Sequence, residues 1–214
     1  MDHISIFDLD HTLFNENSSF RFGIYLYQQG IISLASLLFI LGCNIRHKLG
    51  MITIPQLHQS AFKKLFLGRN ASSITDHANH FLDRHFEELT YLPALKKLQT
   101  AQNEGHLTII LSSSPDFLVG PIAQRFRVDR WEATRYAVDR ELRFCAISKL
   151  MLGEDKAKYI EKLLEQLKLS KQNVTAYSDS HVDLPFLMAA GNAVGVNPNK
   201  KLKAICKENN WPII

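Results

Sequence analysis

The stretch ISIFDLDHT, residues 4–12, joins a short apolar run to an acidic loop. The run from Ile4 to Phe7 predicts a buried β-strand. Asp8, Asp10 and Thr12 follow directly, so this strand leads into a loop with two carboxylates. In an open parallel sheet, ligands bind beyond the carboxyl ends of the strands, and this loop is therefore a candidate site.

The same arrangement occurs twice more along the chain. A strand predicted over 107–111 leads into Ser112-Ser113-Ser114, and one predicted over 174–177 leads into a loop with Asp179 and Asp183. Strands alternate with helices after residue 93, which favours an α/β fold with a parallel sheet between helical layers. We expect the polar residues after the three strands to converge at one edge of that sheet.

The segment Ser114-Pro115-Asp116 also predicts the start of a helix, with Ser114 as its N-cap and Pro115 at its first position. The positive end of that helix would point towards the converging polar residues. Lys156, near the start of another predicted helix, could supply further positive charge.

Converging carboxylates need a compensating cation, because carboxylates within about 4–6 Å of one another repel and their pKa values rise. Mg²⁺ suits this role, since it prefers oxygen ligands and combines one or two carboxylates with water and substrate phosphate. Together, carboxylates, metal, serine hydroxyls and a lysine indicate phosphoryl transfer through a covalent carboxylate intermediate.

Four segments in order carry a family resemblance: Asp8-x-Asp10-x-Thr12, Ser112, Lys156 and Asp179-x-x-x-Asp183. They resemble the four motifs of the haloacid dehalogenase (HAD) superfamily of phosphatases. The stretches SSSPDFL, residues 112–118, and SDSHVDLPFL, residues 178–187, are similar to its phosphoserine-phosphatase-like subfamily IB. The resemblance covers essentially the whole chain.

The resemblance implies a Rossmann-like three-layer parallel-sheet core with an inserted all-helical C1 cap. Residues 1–15 and 90–214 would form the catalytic core, and residues 16–89 would form the cap domain. The helical pattern from Asn17 to Leu89 agrees with such an insert.

The resemblance also implies a role for each motif residue. Asp8 would be the nucleophile that becomes an aspartyl-phosphate, and Asp10 the general acid and base. Asp8, the backbone carbonyl of Asp10, and Asp179 would hold Mg²⁺, and Asp183 would support this metal site.

Phosphate contacts complete the predicted site. Ser112, Ser113 and Thr12 would bind or orient the phosphoryl group, and Lys156 would neutralise its charge and that of the nucleophile. His11, Ser113 and Ser180 stand where many relatives carry glycine or another small residue, so we expect these loops to manage without glycine's conformational freedom.

The predicted substrate is a small phosphorylated metabolite, such as a phosphoserine-like ester. Phosphoserine phosphatases carry a substrate-reading glutamate at the position of Asn17, whereas Glu16 lies one residue earlier here. A lipid phosphate of the phosphatidylglycerophosphate type is the alternative. A receiver-like phospho-acceptor domain is a hypothesis from another functional class.

No Asp, Glu, Lys or Arg occurs between Arg21 and Arg46, and the run from Ile31 to Leu41 is strongly apolar. This run is shorter than the roughly 20 residues that a membrane-spanning helix needs. Two interpretations stay open: an inner helix of the cap, which the short length favours, or an interfacial surface in peripheral contact with a membrane.

Composition sets wider limits on the 214-residue chain. A net charge of +4 without a clustered basic face gives no indication of a nucleic-acid partner. Three widely spaced cysteines form no disulfide or metal pattern, which is typical of a cytoplasmic protein. The first residues lack the basic region of a signal peptide, so we expect none.

Overall fold

The computed structural model describes residues 3–214. Met1 and Asp2 lie outside the described residues, and with them part of the segment on which the signal-peptide expectation depends. The six strands are β1 Ile4–Phe7, β2 Leu107–Pro115, β3 Arg130–Val138, β4 Phe144–Lys149, β5 Val174–Ser178 and β6 Asn192–Gly195.

Helices occupy most of the remaining chain. They are α1 Ser18–Gln28, α2 Leu34–Lys48, α3 Ile54–Leu65, α4 Ala71–Leu89, α5 Leu92–Asn103, α6 Asp116–Phe126, α7 Gly153–Leu167, α8 Leu184–Ala189 and α9 Lys200–Glu208. Residues 9–13, 171–173 and 181–183 form short helical turns. The helices α1 to α4 make up an insert, residues 16–89, between the loop after β1 and α5.

The strands form one sheet in the order β4-β3-β2-β1-β5-β6. All neighbouring pairs are parallel except β3 and β4, which form the antiparallel hairpin at one edge. Phe7 lies opposite Ile110 of β2 on one side and Tyr177 of β5 on the other. The acidic loop after β1 therefore lies where the strand order reverses, the usual place for a ligand in an open α/β sheet.

Each face of the sheet is covered by helices, as the predicted α/β three-layer fold requires. Ile4 and Ile6 of β1 pack on one face with residues of α7, α8 and α9. On the other face, Phe7 lies in an apolar cluster that includes residues of α5 and α6 and continues into the insert through Phe22 and Phe81. The insert thus shares its apolar interior with one layer of the core.

Polar caps explain where the helices of the insert begin. The side chains of Asn17, Ser33, Thr53 and Asn70 each accept a hydrogen bond from a backbone N–H in the first turn of α1, α2, α3 and α4 respectively. Such caps satisfy N–H groups that have no partner within the helix. Pro55 lies in the first turn of α3, where its missing N–H leaves no hydrogen bond unmade.

The predicted start of α6 is wrong, because Ser114 is not its N-cap and Pro115 is not its first residue. Strand β2 continues to Pro115, α6 begins at Asp116, and no side chain caps it. Ser114 does not act as its N-cap because its hydroxyl donates to the Asp10 carboxylate instead, at 2.6 Å.

The inner-helix interpretation of the apolar run holds only in part, because α2 packs against α1 and α3 but leaves most of its apolar side chains exposed. Helix α2 buries only Ile40 and Cys43. Five residues spaced by four, three, four and four positions are exposed along its opposite side: Leu34, Leu38, Leu41, Ile45 and Leu49. We call these five residues the leucine stripe. In the part of the chain that the structure describes, no helix has the length and apolar character to cross a membrane.

Candidate active site

Lys156 lies at the centre of the predicted site. Its ammonium donates to Oδ1 of Asp8 and to Oδ2 of Asp183, both at 2.7 Å. The lysine is 2% exposed, and both aspartates are buried. A buried charge is tolerated when it is paired and hydrogen-bonded, and here one cation is shared by two carboxylates. Three residues distant in sequence therefore meet as predicted.

Burial has the largest influence on the protonation of Asp8, and the neighbouring charges modify it. Burial raises the pKa of Asp8 well above its ordinary value; Lys156 acts against this, and Asp183 and Asp179 add to it. Burial lowers the pKa of Lys156, but the charges of Asp183 and Asp8 outweigh this effect and raise it overall. We call Asp8, Asp10, Asp179 and Asp183 the acidic rim.

Gly153 at the start of α7 allows Lys156 to reach the rim. A Cβ atom at this position would lie 2.5 Å from the backbone carbonyl oxygen of Val182. Only a glycine permits this close approach between α7 and the loop that carries Asp183. The requirement for glycine at position 153 could not be predicted, because the local sequence does not indicate which residue packs against the start of α7.

The Asp10 side chain is held by two different parts of the chain. Its Oδ1 accepts from the backbone N–H of Ser18 at 2.7 Å, and its Oδ2 accepts from the Ser114 hydroxyl at 2.6 Å. Ser18 is the first residue of α1, so the insert itself contacts this carboxylate. The Ser114 hydroxyl also lies 2.7 Å from that of Ser19. Sequence analysis assigned Ser114 only a capping role and missed this one.

The other predicted phosphate contacts lie in the same loops. Ser112 is buried, and its hydroxyl accepts from the backbone N–H of Ser114 at 3.1 Å, whereas Ser113 is partly exposed. Thr12 is buried, and its hydroxyl oxygen has no hydrogen-bond partner among residues 3–214. A buried hydroxyl without a partner is unfavourable, and a ligand oxygen would satisfy it.

Asp179 follows β5 directly and is partly buried. Burial raises the pKa of Asp179 to about 6; His11 acts against this and Asp183 adds to it. Asp183 is fixed separately, since its Oδ2 also accepts from the Ser178 hydroxyl at 2.9 Å.

His11 adopts a left-handed backbone conformation with φ of +61°. Non-glycine residues adopt it at a cost of roughly 1–2 kcal/mol. The loop after β1 therefore keeps the glycine-type conformation even without glycine, contrary to the sequence expectation. Ser180, by contrast, has φ of −119° and needs no such freedom.

A Mg²⁺ ion fits the donor set on chemical grounds. The rim offers carboxylate and backbone oxygens, the ligands that Mg²⁺ prefers. Burial, with a smaller contribution from neighbouring carboxylates, raises the pKa values of Asp8 and Asp179, and a bound cation would favour their ionised forms. Among residues 3–214, no three acidic, histidine or cysteine side chains converge closely enough to enclose a metal by themselves. Mg²⁺ sites commonly complete their shell with water and substrate phosphate.

Two residues near the mouth of the site bear on substrate choice. Asn17 caps α1 and donates weakly to Asp10 at 3.4 Å. Glu16 pairs with Arg21 at 2.8 Å, so its carboxylate is already engaged at the surface. Neither residue presents a free carboxylate to a substrate ammonium group.

His58 on α3 is a further residue that sequence analysis missed. Burial lowers its pKa, and the charge of Asp10 acts against this, which places His58 within electrostatic range of the rim. His181, in the loop before Asp183, instead lies with its Nδ1 3.2 Å from the Asn199 amide.

Comparison with known proteins agrees with this geometry. The model of the family described as haloacid dehalogenase-like hydrolase matches residues 6–188. The histidinol-phosphatase of Neisseria meningitidis is 27% identical, over 100% of this chain and 99% of its own length. A phosphoserine phosphatase of Mycobacterium tuberculosis is 24% identical, over 98% of this chain and 69% of its own.

The fold has a close structural counterpart. The crystal structure of a protein of unknown function from Bordetella pertussis matches with a TM-score of 0.89 and 21% identity. The match covers 100% of this chain and 98% of that one. At this identity the likeness concerns the fold alone.

Proposed function

The chain belongs to the haloacid dehalogenase-like hydrolases, as a phosphoric monoester hydrolase of their phosphoserine-phosphatase-like branch, and from this premise we propose that it is a Mg²⁺-dependent phosphatase acting through an aspartyl-phosphate on Asp8. The observation that carries the proposal is the bond from Lys156 to Oδ1 of Asp8. It leaves the other carboxylate oxygen, Oδ2, without a hydrogen bond from residues 3–214 and open for attack.

In the first step, Oδ2 of Asp8 attacks the phosphorus atom and the bond from phosphorus to the ester oxygen breaks. Asp10 gives its proton to the departing alkoxide, which leaves as an alcohol. In the second step, Asp10 takes a proton from water, whose oxygen attacks phosphorus. The bond between phosphorus and Asp8 then breaks, so that inorganic phosphate leaves and both aspartates return to their initial states.

Asp8, Asp179 and the Asp10 backbone carbonyl would hold Mg²⁺, with Asp183 supporting the site. The ion would supply positive charge against the aspartate and the phosphoryl oxygens. Lys156 would supply further positive charge, while Ser112, Ser113 and Thr12 would bind phosphoryl oxygens. These assignments rest on the shared rim and on the unpartnered Thr12 hydroxyl.

We further propose that residues 16–89 form a cap over a core of residues 1–15 and 90–214. The bond from the Ser18 N–H to Asp10 supports this division, because it couples the first helix of the insert to the proton donor. A cap that excludes water would favour transfer to the intended acceptor and select the leaving group.

The substrate we propose is a small soluble phosphate ester, which suits a cytoplasmic enzyme. A free carboxylate for a substrate ammonium group is missing at Glu16 and Asn17, which argues against phosphoserine itself. The exposed leucine stripe is the one observation in favour of the lipid-phosphate alternative. The family match over 6–188 leaves no support for a receiver-like domain.

The test is turnover of a panel that contains phosphoserine, histidinol phosphate, other small phosphate esters and phosphatidylglycerophosphate in detergent. Asp8→Asn should lower kcat by at least about a thousandfold, since it removes the nucleophile. Asp76→Asn, a matched change on the exposed side of α4, should not.

Acid quenching during turnover should trap a phosphoryl group on the peptide that contains Asp8. Equal turnover by wild type and Asp8→Asn would overturn the nucleophile assignment, and full activity in EDTA would overturn the metal assignment. Preferential turnover of phosphatidylglycerophosphate would replace the small-ester proposal with the lipid alternative.

A further inference from the structure

The leucine stripe is an unusual surface for a protein of this size. Its five residues are between 42% and 70% exposed, and Phe39 and Met51 beside it are 46% and 63% exposed. Single exposed apolar side chains are ordinary, but a contiguous patch marks an interaction site. The regular spacing along α2 makes this patch an elongated ridge on one side of a helix.

The segment that carries the stripe has charges of a single sign. No Asp or Glu occurs anywhere from residue 17 to residue 75, a span that includes α1, α2 and α3. The same span carries six Arg or Lys residues: Arg21, Arg46, Lys48, Lys63, Lys64 and Arg69. Net charge over the whole chain hides this segregation, because the acidic residues lie elsewhere.

Basic side chains lie beside the apolar ridge itself. Arg46 and Lys48 are exposed on the last turns of α2, where they flank the end of the stripe. The Lys64 ammonium lies 5.8 Å from the centre of the Phe39 ring. Lys and Arg can extend their charged ends past an apolar surface towards a neighbouring polar layer.

Charge decides between two occupants of such a ridge. A second copy of the chain in a twofold dimer would face the same surface, bringing two positive segments together without an acidic partner. An anionic lipid surface complements both features, since its acyl boundary accepts leucine side chains and its headgroups attract Lys and Arg.

We propose that the leucine stripe docks this protein on an anionic lipid surface, with α2 lying in the plane of the interface. Helix α2 has 15 residues and an apolar stripe flanked by basic groups, as expected for an interfacial helix. This binding goes beyond the proposed phosphatase function, because it requires no turnover and no lipid substrate.

The test is co-sedimentation of the full chain with vesicles. One set contains phosphatidylcholine alone and the other an equal mixture with phosphatidylglycerol. Wild type should bind the anionic vesicles, bind the neutral ones far more weakly, and dissociate at high salt because surface charges are screened. Equal binding to both sets, or binding to neither, would overturn the proposal.

Matched double variants locate the contact. Leu38→Glu with Ile45→Glu should weaken binding at least about tenfold, since two charges enter the apolar layer. Leu92→Glu with Leu142→Glu changes two leucines that are at least as exposed, outside the insert, and should bind as wild type does. Undiminished binding by the Leu38/Ile45 variant would refute the role of the stripe.

Further measurements separate lipid docking from catalysis and from self-association. Asp8→Asn should bind vesicles as wild type does, so loss of the phosphatase proposal would leave this one intact. The Leu38/Ile45 variant should keep wild-type activity on a soluble ester, which shows that it folds. Sedimentation without vesicles should show a monomer; a dimer that the same variant dissociates would assign the stripe to self-association instead.

Discussion

The acidic rim and the leucine stripe depart from the usual distribution of side chains in opposite directions. At the rim, charged groups are buried and shared bonds hold them, as Lys156 does between Asp8 and Asp183. Along the stripe, apolar groups are exposed and nothing among residues 3–214 covers them. Burying charged groups costs folding free energy, exposed apolar groups contribute no stabilisation by burial, and we place a function in each region.

The two regions should therefore respond differently to substitution. Changes at the rim break interactions inside the folded chain, so they should alter both stability and chemistry. Changes on the stripe break nothing in the isolated chain, so they should alter only binding to a partner. Substitutions in the two regions would measure this contrast.

Lys156→Met should have the largest effect on stability. It leaves the buried carboxylates of Asp8 and Asp183 without their shared cation, which should lower the free energy of unfolding by about 3–5 kcal/mol. Lys149→Met removes only a surface pair with Glu132, worth no more than about 1 kcal/mol. Urea denaturation measures both. Equal losses would show that the rim gains nothing from Lys156.

Gly153→Ala should lower the free energy of unfolding by about 1–3 kcal/mol, because the added methyl group would meet the Val182 carbonyl at 2.5 Å. The matched change on α2 is Gly42→Ala, where a Cβ atom meets nothing within 4 Å. That variant should gain up to about 1 kcal/mol from helix propensity. Thermal unfolding of the two variants measures this difference. The prediction is wrong if the Tm values of both variants shift in the same direction.

Ser114→Ala should impair catalysis selectively, because it removes the hydroxyl that positions Asp10. A proton donor matters most for poor leaving groups, so kcat for an alkyl phosphate should fall about tenfold or more. Turnover of p-nitrophenyl phosphate, whose leaving group needs little protonation, should change far less. A uniform loss across both substrates would indicate a general structural defect instead.

Asp179 should make metal-free stability depend on pH. Its pKa is about 6 in the folded chain against an ordinary 3.8, so the folded state binds the proton more tightly. Its contribution to stability is therefore full below about pH 4 and is lost as the pH rises through 6. Asp179→Asn should be more stable than wild type by about 1 kcal/mol at pH 7.5, after allowance for partial exposure.

The same pKa predicts how metal binding varies with pH. Mg²⁺ requires the ionised carboxylate, so the rise in Tm on adding Mg²⁺ should be larger at pH 7.5 than at pH 5. Asp179→Asn should lose most of that rise. A rise in Tm of the same size for wild type and variant would exclude Asp179 as a ligand.

Leu38→Glu should have the smallest effect on the isolated chain, within about 0.5 kcal/mol, because Leu38 is 56% exposed. Leu37→Glu, one position along, changes a partly buried side chain and should cost more. Equal losses in chemical denaturation would mean that the stripe is covered in solution.

Much of the fold and site follows from local pattern. Short β-branched runs predict β1, β2 and β5 because a central parallel strand is buried on both faces. Once these strands are neighbours, Asp8 and Asp179 must lie at one edge of the sheet. The three cysteines are free thiols in the structure, as their spacing indicates.

Other contacts in the site could not be predicted, because they join residues that are distant in sequence. Ser114 reads as a helix cap in its own segment, yet its hydroxyl meets Asp10, which is 104 residues away. A glycine is needed at position 153 because the backbone carbonyl of Val182, in another loop, approaches it closely. The sequence around Ser114 does not indicate Asp10 as its partner, and the sequence around Gly153 does not indicate Val182.

Residue type and spacing alone were enough to predict the central strands, the polar residues that follow them and the family. The sequence by itself also determined that residues 22–45 are free of charge. Which side of α2 is buried, by contrast, depends on the tertiary structure. An apolar helix can bury any of its sides, and the outcome depends on the surfaces that α1 and α3 present. Here they cover Ile40 and Cys43 and leave the leucine stripe exposed.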